Sequence, residues 1–206
     1  MLIARKRSAV GIWWHGNGMY SGGMVMVCTA VAWYRYGNAG HVYCVMSQPT
    51  PLYQSVPSAN GTTVAVVAAR WNAAIIDRLL DGVRSAWSEY GGDPAALELF
   101  RCPGSYELPL AVQACAQSGK YSAVIALGCV IRGDTYHFEL VADAASEGIM
   151  RVMLDTGVPC IFGVLTTETV EQALDRSDTR MNNKGYEAVI GALDMIHVLR
   201  NIRPSA

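Results

Sequence analysis

Charged residues are scarce in this chain. Asp, Glu, Lys and Arg make up 16% of its 206 residues, whereas hydrophobic residues make up 51%. A chain of this length can bury one good core, so a single main domain is expected. Because so few charges cannot cover the whole surface, we expect partner subunits to cover part of it. The net charge of −1 at pH 7 favours no nucleic-acid partner.

Acidic residues are absent from positions 1–60, which hold four of the 16 basic residues. Positions 61–206 therefore hold 12 basic and all 17 acidic residues, a net charge of −5. Positions 1–46 show neither helical nor strand periodicity, and no clean cleavage site follows them. We favour a start codon assigned upstream of the true start at Met46, with a genuine extension as the alternative. Positions 47–60, rich in Pro, Ser and Gln, predict an extended arm, and 61–206 predict the main domain.

Several functional motifs are also missing. The six cysteines include no CxxC pair and no zinc-ligand spacing, so reduced thiols in a cytoplasmic protein are expected, with no bound metal. No apolar run reaches the roughly eighteen residues of a membrane helix, and no membrane association is expected. A GxGxxG or Walker motif is absent as well, so nucleotide hydrolysis lacks support.

From residue 62 onward, strand patterns alternate with helical patterns. Short apolar, β-branched runs predict four strands, and the segments between them place apolar residues at helical spacing. The predicted strands are 64–69, 97–102, 124–131 and 159–165, and the predicted helices are 72–90, 105–118, 136–155, 169–176 and 184–201. Four β/α units predict a parallel sheet with helices on both faces, joined by right-handed crossovers.

Ligands bind at the carboxyl ends of the strands in such a sheet. These ends are predicted at 70–72, 102–107, 131–137 and 162–167, and they hold the polar and aromatic residues that stand out in the chain. We therefore expect one site at this edge of the sheet.

Segment 124–139 gives the clearest indication of a site. A buried strand is followed by the glycine-containing turn 132–135, in which Asp or Thr can cap a helix, and a helical pattern begins at Tyr136. The start of such a helix presents unpaired backbone N–H groups, which bind anions. His137 lies in its first turn and titrates near neutral pH. The segment predicts an anion site beside an acid–base group, and hence an enzyme.

Each candidate residue also has a structural explanation. Trp71 either covers the core or stacks on a flat heterocycle. Asn72 and Ser105 are equally well explained as ordinary helix caps, and Glu107 as a carboxylate that the helix dipole favours in any protein. A lone Arg176 at the end of a short amphipathic helix is typical of a surface residue.

Together, these residues resemble the lumazine synthase family, the 6,7-dimethyl-8-ribityllumazine synthases. The matching motifs follow the order and spacing of the family over about residues 62–200 and are Arg70-Trp-Asn72, Pro103-Gly-Ser-Tyr-Glu-Leu-Pro109, Leu127-Gly-Cys-Val-Ile-Arg-Gly-Asp-Thr135 with His137, Phe162-Gly-Val-Leu-Thr-Thr-Glu168, Glu171-Gln-Ala-Leu-Asp-Arg176 and Asn183-Lys-Gly185. Two features depart from the family pattern: Tyr136 is bulkier than the usual residue, and 177–182 replace a bend that usually contains glycine.

The resemblance implies a flavodoxin-like subunit in a homo-oligomer, either a pentamer, a decamer or a 60-subunit shell, with riboflavin synthase as a further partner. It implies condensation of 5-amino-6-ribitylaminopyrimidinedione with 3,4-dihydroxy-2-butanone 4-phosphate in riboflavin biosynthesis, without metal or organic cofactor. Two other interpretations stay open. One is a flavodoxin-like flavin-binding module, which would need a Ser/Thr/Gly-rich loop that 69–72 do not provide. The other is a shell-forming member without activity, which intact Glu107, His137 and Arg176 disfavour.

The resemblance also implies roles for individual residues. His137 would move protons, and Arg176 of a neighbouring subunit would bind the phosphate. The pyrimidine substrate would be held by Trp71, Asn72, Ser105, Tyr106, Glu107, Val130 and Ile131. The phosphate would be cradled by Gly133, Asp134 and Thr135. The neighbouring subunit would add Phe162 to close the pocket, and Lys184 would support the phosphate end less directly.

Overall fold

A computed structural model of the chain describes residues 33–35, 42–44, 58–178 and 182–202. The chain forms two compact units, Met1–Leu52 and Tyr53–Ala206. In the first, β1 (Trp33–Arg35) pairs antiparallel with β2 (Val42–Cys44). Strands of three residues are too short for alternation to show in a sequence, which is why no strand pattern was expected there. Of the predicted arm 47–60, only 58–60 are among the described residues.

The second unit contains a four-stranded sheet in which all neighbouring strands run parallel. Its strands, in the spatial order β4-β3-β5-β6, are β3 (Val64–Ala69), β4 (Leu97–Cys102), β5 (Ala123–Ile131) and β6 (Cys160–Thr167). The predicted strands are confirmed, and the last one runs two residues further than expected. Because β6 is at an edge of the sheet, its outer side pairs with no other described strand.

Five α-helices connect and follow the strands. They are α1 (Ala73–Glu89), α2 (Leu108–Gln117), α3 (His137–Thr156), α4 (Val170–Asp178) and α5 (Lys184–Ile202). The segment 105–118, predicted as one helix, begins instead with a 3₁₀ turn at Ser105–Glu107 before α2 starts. Pro109 in the first turn of α2 costs no hydrogen bond, because the N–H group it lacks would have no helical partner there.

The hydrophobic core has two layers, one on each face of the sheet. In β3, the buried residues Val64, Val66 and Ala68 face α1, α4 and α5, whereas Ala65, Val67 and Ala69 face α2 and α3. A strand that is buried on both faces reads as a continuous apolar run, as β3 does. The structure thus confirms an α/β fold with helices on both faces of a parallel sheet. None of the described helices is long and apolar enough to cross a membrane.

Candidate active site

The loop after β3 carries Trp71 and Asn72, and Asn72 adopts a left-handed backbone conformation. Asn72 has φ 57° and ψ 43°, and it is the only non-glycine residue with positive φ in the described part of the chain. Asparagine tolerates this left-handed conformation better than most residues. Its amide Nδ2 donates to the carbonyl oxygen of Cys129 in β5 at 2.9 Å. The helix-cap explanation for Asn72 is therefore wrong, because its side chain fixes the loop against β5 and makes no cap hydrogen bond.

The Trp71 side chain points into solvent at the carboxyl end of β3. It is 75% exposed, so the explanation that it covers the core is wrong. A Cβ atom at Gly104 would lie 3.2 Å from Trp71 Cδ1 and 3.2 Å from Glu107 Oε2. The indole and the carboxylate thus flank the same glycine. A flat, exposed aromatic face beside a carboxylate can hold a polar heterocycle.

The loop after β4 meets β5 through Ser105. This residue is only 6% exposed, and a Cβ atom at Gly128 would lie 2.6 Å from Ser105 Oγ. The position before the 3₁₀ turn is Gly104, so Ser105 does not cap it, and the cap explanation is again wrong. Tyr106 and Glu107, which follow, are exposed. The loop therefore buries its serine against β5 and presents a phenol and a carboxylate to solvent.

The turn after β5 presents backbone at the start of α3. Residues 132–137 are all exposed, and Tyr136 occupies the N-cap position without a side-chain hydrogen bond. The expected cap by Asp or Thr is thus not formed at that position. A Cβ atom at Gly133 would meet no protein atom within 4 Å, so packing does not require the glycine. Its missing side chain leaves the backbone accessible to a ligand, next to uncapped N–H groups and His137.

Three residues that the sequence analysis did not assign to the site surround this turn. The Arg132 guanidinium forms ion pairs with Glu139, in the first turn of α3, and with Glu168 after β6; the Nε–Oε2 distance to Glu168 is 2.6 Å. Its Cζ atom lies 4.2 Å from the centre of the Phe138 ring. The Arg132 guanidinium lowers the pKa of the Glu139 carboxyl through its hydrogen bond and charge. The local signal in the sequence was Arg132 before the glycine turn and Glu139 after it, whereas Glu168 follows the next strand and gave no local signal.

A second group of predicted residues lines a different cavity, of about 390 Å³, beside β6. It is lined by Phe162 and neighbouring residues of β6, by Arg176 of α4 and by Lys184 of α5. Phe162 was predicted at the carboxyl end of its strand. It is in fact the third residue of β6, five residues before the end at Thr167, which places it about 16 Å from that edge.

Arg176 is available to a ligand in this cavity. Its Nη1 donates to the carbonyl oxygen of Gln172 at 3.1 Å, and it forms no ion pair with any residue that the structure describes. Lys184, in contrast, contacts both carboxylate oxygens of Glu187 at 2.7–2.8 Å. The Arg176 guanidinium, which pairs with no described carboxylate, is thus the stronger candidate for binding an anion.

The structure therefore sorts the predicted residues into two separate groups. The first lies on the loops after β3, β4 and β5 and at the end of β5, and comprises Trp71, Asn72, Ser105, Tyr106, Glu107, Val130, Ile131, Gly133, Asp134, Thr135 and His137. The second comprises Phe162, Arg176 and Lys184, and no member of the first group lines its cavity. No set of His, Cys, Asp and Glu side chains within the described ranges is arranged to hold a metal ion.

Four cysteines among the described residues pack into the core layers on the two faces of the sheet. Cys102, Cys115, Cys129 and Cys160 are buried and free, as expected for reduced thiols. Burial raises the pKa of Cys129 and of Cys160 to about 11. Because the nucleophilic form of cysteine is the thiolate, these side chains do not serve as nucleophiles near neutral pH.

The chain is similar to known proteins over about two thirds of its length. The family described as 6,7-dimethyl-8-ribityllumazine synthase matches residues 61–200. A protein of that name from Deinococcus radiodurans is 48% identical over 138 residues, covering 67% of this chain and 89% of the relative. Proteins of the same name from Deinococcus deserti and Halorhodospira halophila are 45% identical over 141 residues and 50% identical over 138 residues. They are covered over 90% and 88% of their lengths, with 68% and 67% of this chain.

Proposed function

The chain belongs to the 6,7-dimethyl-8-ribityllumazine synthase family, and from this premise we propose that it is such an enzyme. It condenses 5-amino-6-ribitylaminopyrimidinedione with 3,4-dihydroxy-2-butanone 4-phosphate in riboflavin biosynthesis. The single observation that carries the proposal is the edge at which an exposed Trp71 and Glu107 lie on loops neighbouring an uncapped helix start with His137.

The pyrimidine substrate binds on the loops after β3 and β4. Trp71 stacks on the heterocycle, and Glu107 accepts hydrogen bonds from its N–H groups and from ribityl hydroxyls. The Asn72 amide oxygen, which has no hydrogen-bond partner among the described residues, accepts from the ribityl chain. Ser105 and Tyr106 contact the chain as well, and Val130 with Ile131 forms the apolar wall beside the ring.

The phosphate of the second substrate binds at the turn before α3. Gly133 leaves the backbone approachable, and the uncapped N–H groups of the helix start donate to the phosphate oxygens. Asp134 and Thr135 contribute backbone N–H groups, and Thr135 adds its hydroxyl. His137, in the same turn, lies within reach of the bond that releases phosphate.

The reaction needs proton transfer at every step. The substrate amine attacks the ketone and loses water to form an imine; phosphate then leaves, and attack of the second amine closes the ring with loss of a second water. His137 supplies and removes the protons, which typically contributes about 10²- to 10⁴-fold. The remaining acceleration comes from holding the two reactants together. No metal or organic cofactor is part of this mechanism.

A neighbouring subunit completes each pocket. Phe162 and Arg176 share a cavity that excludes the first group of residues, so we assign them to the pocket of the next subunit, with Lys184 supporting the phosphate end. Exposed large apolar side chains support an oligomer, among them Leu110 and Leu154, each 73% exposed. We propose a pentamer as the unit, which can pair into a decamer or close into a 60-subunit shell.

The cellular setting follows from the same assignment. We propose a cytoplasmic enzyme, in keeping with its free, buried thiols, that passes its product to riboflavin synthase. Residues 1–46 are proposed to be dispensable, because the family match begins only at residue 61. A protein that begins at Met46 is expected to assemble and to keep its activity, as gel filtration and a lumazine assay would show. If the shorter protein is insoluble while the full chain is soluble, the proposal that residues 1–46 are dispensable is contradicted.

The direct test mixes the purified protein with both substrates and follows the absorbance and fluorescence of the lumazine. The rate should exceed that without protein and fall in the His137→Ala variant. An Arg84→Ala variant serves as the control, because Arg84 forms an exposed ion pair on α1 away from the site. Flavin binding without lumazine formation would instead identify a flavin-binding module. Assembly with no lumazine formation and no flavin binding would identify a shell-forming protein.

A further inference from the structure

Arg132 connects three segments that meet around the phosphate turn. Its backbone N–H donates to the carbonyl oxygen of Thr167 at the end of β6, at 2.9 Å. Its side chain reaches Glu168 just beyond β6, and Phe138 and Glu139 in the first turn of α3. The turn therefore begins at an arginine that is bound both to the next strand and to the helix that the turn precedes.

The guanidinium is already used by two carboxylates. One nitrogen pairs with Glu139 and another, Nε, pairs with Glu168, while the flat face covers the Phe138 ring at a distance typical of cation–π contact. With its charge balanced in this way, Arg132 differs from Arg176, which forms no ion pair in the described part of the chain. Arg132 is thus poorly placed to act as a phosphate ligand, although it precedes Gly133 directly.

Without Arg132, the turn would lie between two unbalanced negative charges. The Glu139 side chain is 31% exposed, and its Oε2 atom is buried without a hydrogen-bond partner among the described residues. Glu139 lies in the same first helical turn as His137, where an incoming phosphate would meet it. A carboxylate in the helical turn that receives the phosphate opposes phosphate binding unless a cation is held beside the carboxylate.

We propose that Arg132 is a positioning residue that offsets part of the negative charge of Glu139 and Glu168 and holds the phosphate turn against β6 and α3, without binding the substrate itself. This rests on the proposed function, because it assumes that the phosphate of the butanone substrate occupies the turn 133–136. The ion pairs hold both carboxylates beside the guanidinium, and the contact with Phe138 attaches the guanidinium to the first turn of α3, in which His137 lies.

The first test compares Arg132→Gln with the parent protein by varying each substrate in turn. The KM for the butanone phosphate should rise by about 10- to 100-fold, while the KM for the pyrimidine changes by less than about threefold, because its contacts lie on other loops. Arg84→Gln removes an exposed guanidinium that pairs with Asp81 and is the matched control. An Arg132→Gln protein that melts at a lower temperature but keeps both KM values would overturn the proposal and leave a purely structural role.

The second test separates neutralisation from direct phosphate binding. In a Glu139→Gln background, Arg132→Gln should raise the KM for the butanone phosphate by only about threefold, because the charge that needed a partner is gone. If Arg132 contacted the phosphate directly, Arg132→Gln would raise this KM at least as much in the Glu139→Gln background as in the parent, since removal of Glu139 would free the guanidinium. An undiminished effect therefore overturns the proposal.

Arg132→Lys keeps the test decisive if Arg132→Gln does not fold. Lysine keeps the charge but cannot hold two carboxylates and cover a ring with one planar group, so a rise of about three- to tenfold in the same KM is expected. A parent-like KM in this variant also overturns the proposal. Failure of the parent protein to form lumazine would refute the proposed function instead, so the two failures are distinguishable.

Discussion

Two variants that are each impaired at substrate concentrations well below KM should restore activity when they are mixed, if Arg176 serves the neighbouring pocket. One variant, Arg176→Ala, keeps the first group of site residues and lacks the free guanidinium. The other, Trp71→Ala with Glu107→Ala, keeps Arg176 and lacks the pyrimidine contacts. In the structure, Arg176 lines a cavity that contains neither Trp71 nor Glu107, so each variant damages only one of the two groups.

The magnitude of the Arg176→Ala effect follows from its contacts. Within the described residues, its guanidinium donates only to the Gln172 carbonyl of its own helix, so its removal breaks no ion pair and should change the free energy of unfolding by about 1 kcal/mol or less. Loss of a charge-assisted hydrogen bond to phosphate should cost about 1.5–3 kcal/mol. The KM for the butanone phosphate should therefore rise by about 10- to 150-fold, with little change in KM for the pyrimidine.

The yield of the mixing experiment follows from the geometry of a ring. Each pocket takes its first group from one subunit and its second group from the next, as in a head-to-tail interface. When the two variants assemble at random in equal amounts, about one quarter of the pockets combine two intact groups. About one quarter of the parent activity should therefore return.

The assay is lumazine fluorescence after the two variants are unfolded and reassembled together. Each variant reassembled alone is the control, and native mass spectrometry verifies that mixed oligomers have formed. Mixed oligomers without recovered activity would refute the shared pocket. Arg176 would then have to act within its own chain, and the cavity beside β6 would have another role.

Three further predictions concern single residues. His137→Ala should lower turnover by about 10²- to 10⁴-fold with both KM values largely kept, since it moves protons and does not hold either substrate; unchanged turnover at all pH values would contradict this. Gly128→Ala should lower the free energy of unfolding by about 1–3 kcal/mol in urea titrations, because its Cβ atom would lie 2.6 Å from Ser105 Oγ. An unchanged midpoint would show that the loop carrying Ser105 moves to accommodate the methyl group, which would contradict this. Tyr121 donates to the Glu98 carboxylate at 2.7 Å, and this hydrogen bond, with burial, raises the pKa of its phenol to about 12. The stability from this bond is present below the unfolded pKa of about 10 and is lost as pH rises toward 12. The difference in unfolding free energy between the parent and Tyr121→Phe should therefore narrow from pH 8 to pH 11.5. A difference that stays constant over this pH range would contradict the prediction.

The sequence by itself determined the sheet, the order of its elements and the turn before α3. The six residues of β3 form a continuous apolar run because they are buried on both faces, and the bounds 64–69 could be predicted without a structure. The start of α3 next to His137 could also be predicted, since a glycine turn between an apolar strand and a helical repeat is a local pattern. These features depend on neighbours in the chain.

Only the tertiary structure decided which side chains meet. Asn72 was interpreted as a cap from its place before a helix, yet its amide binds Cys129, 57 residues away. Phe162 was placed at the carboxyl end of its strand, but β6 extends to Thr167 and leaves it near the other end. The pairing of Arg132 with Glu168 depends on the register between β5 and β6, which aligns Ile131 with Thr167. Register and side-chain direction arise from packing between distant segments, so local periodicity does not carry them.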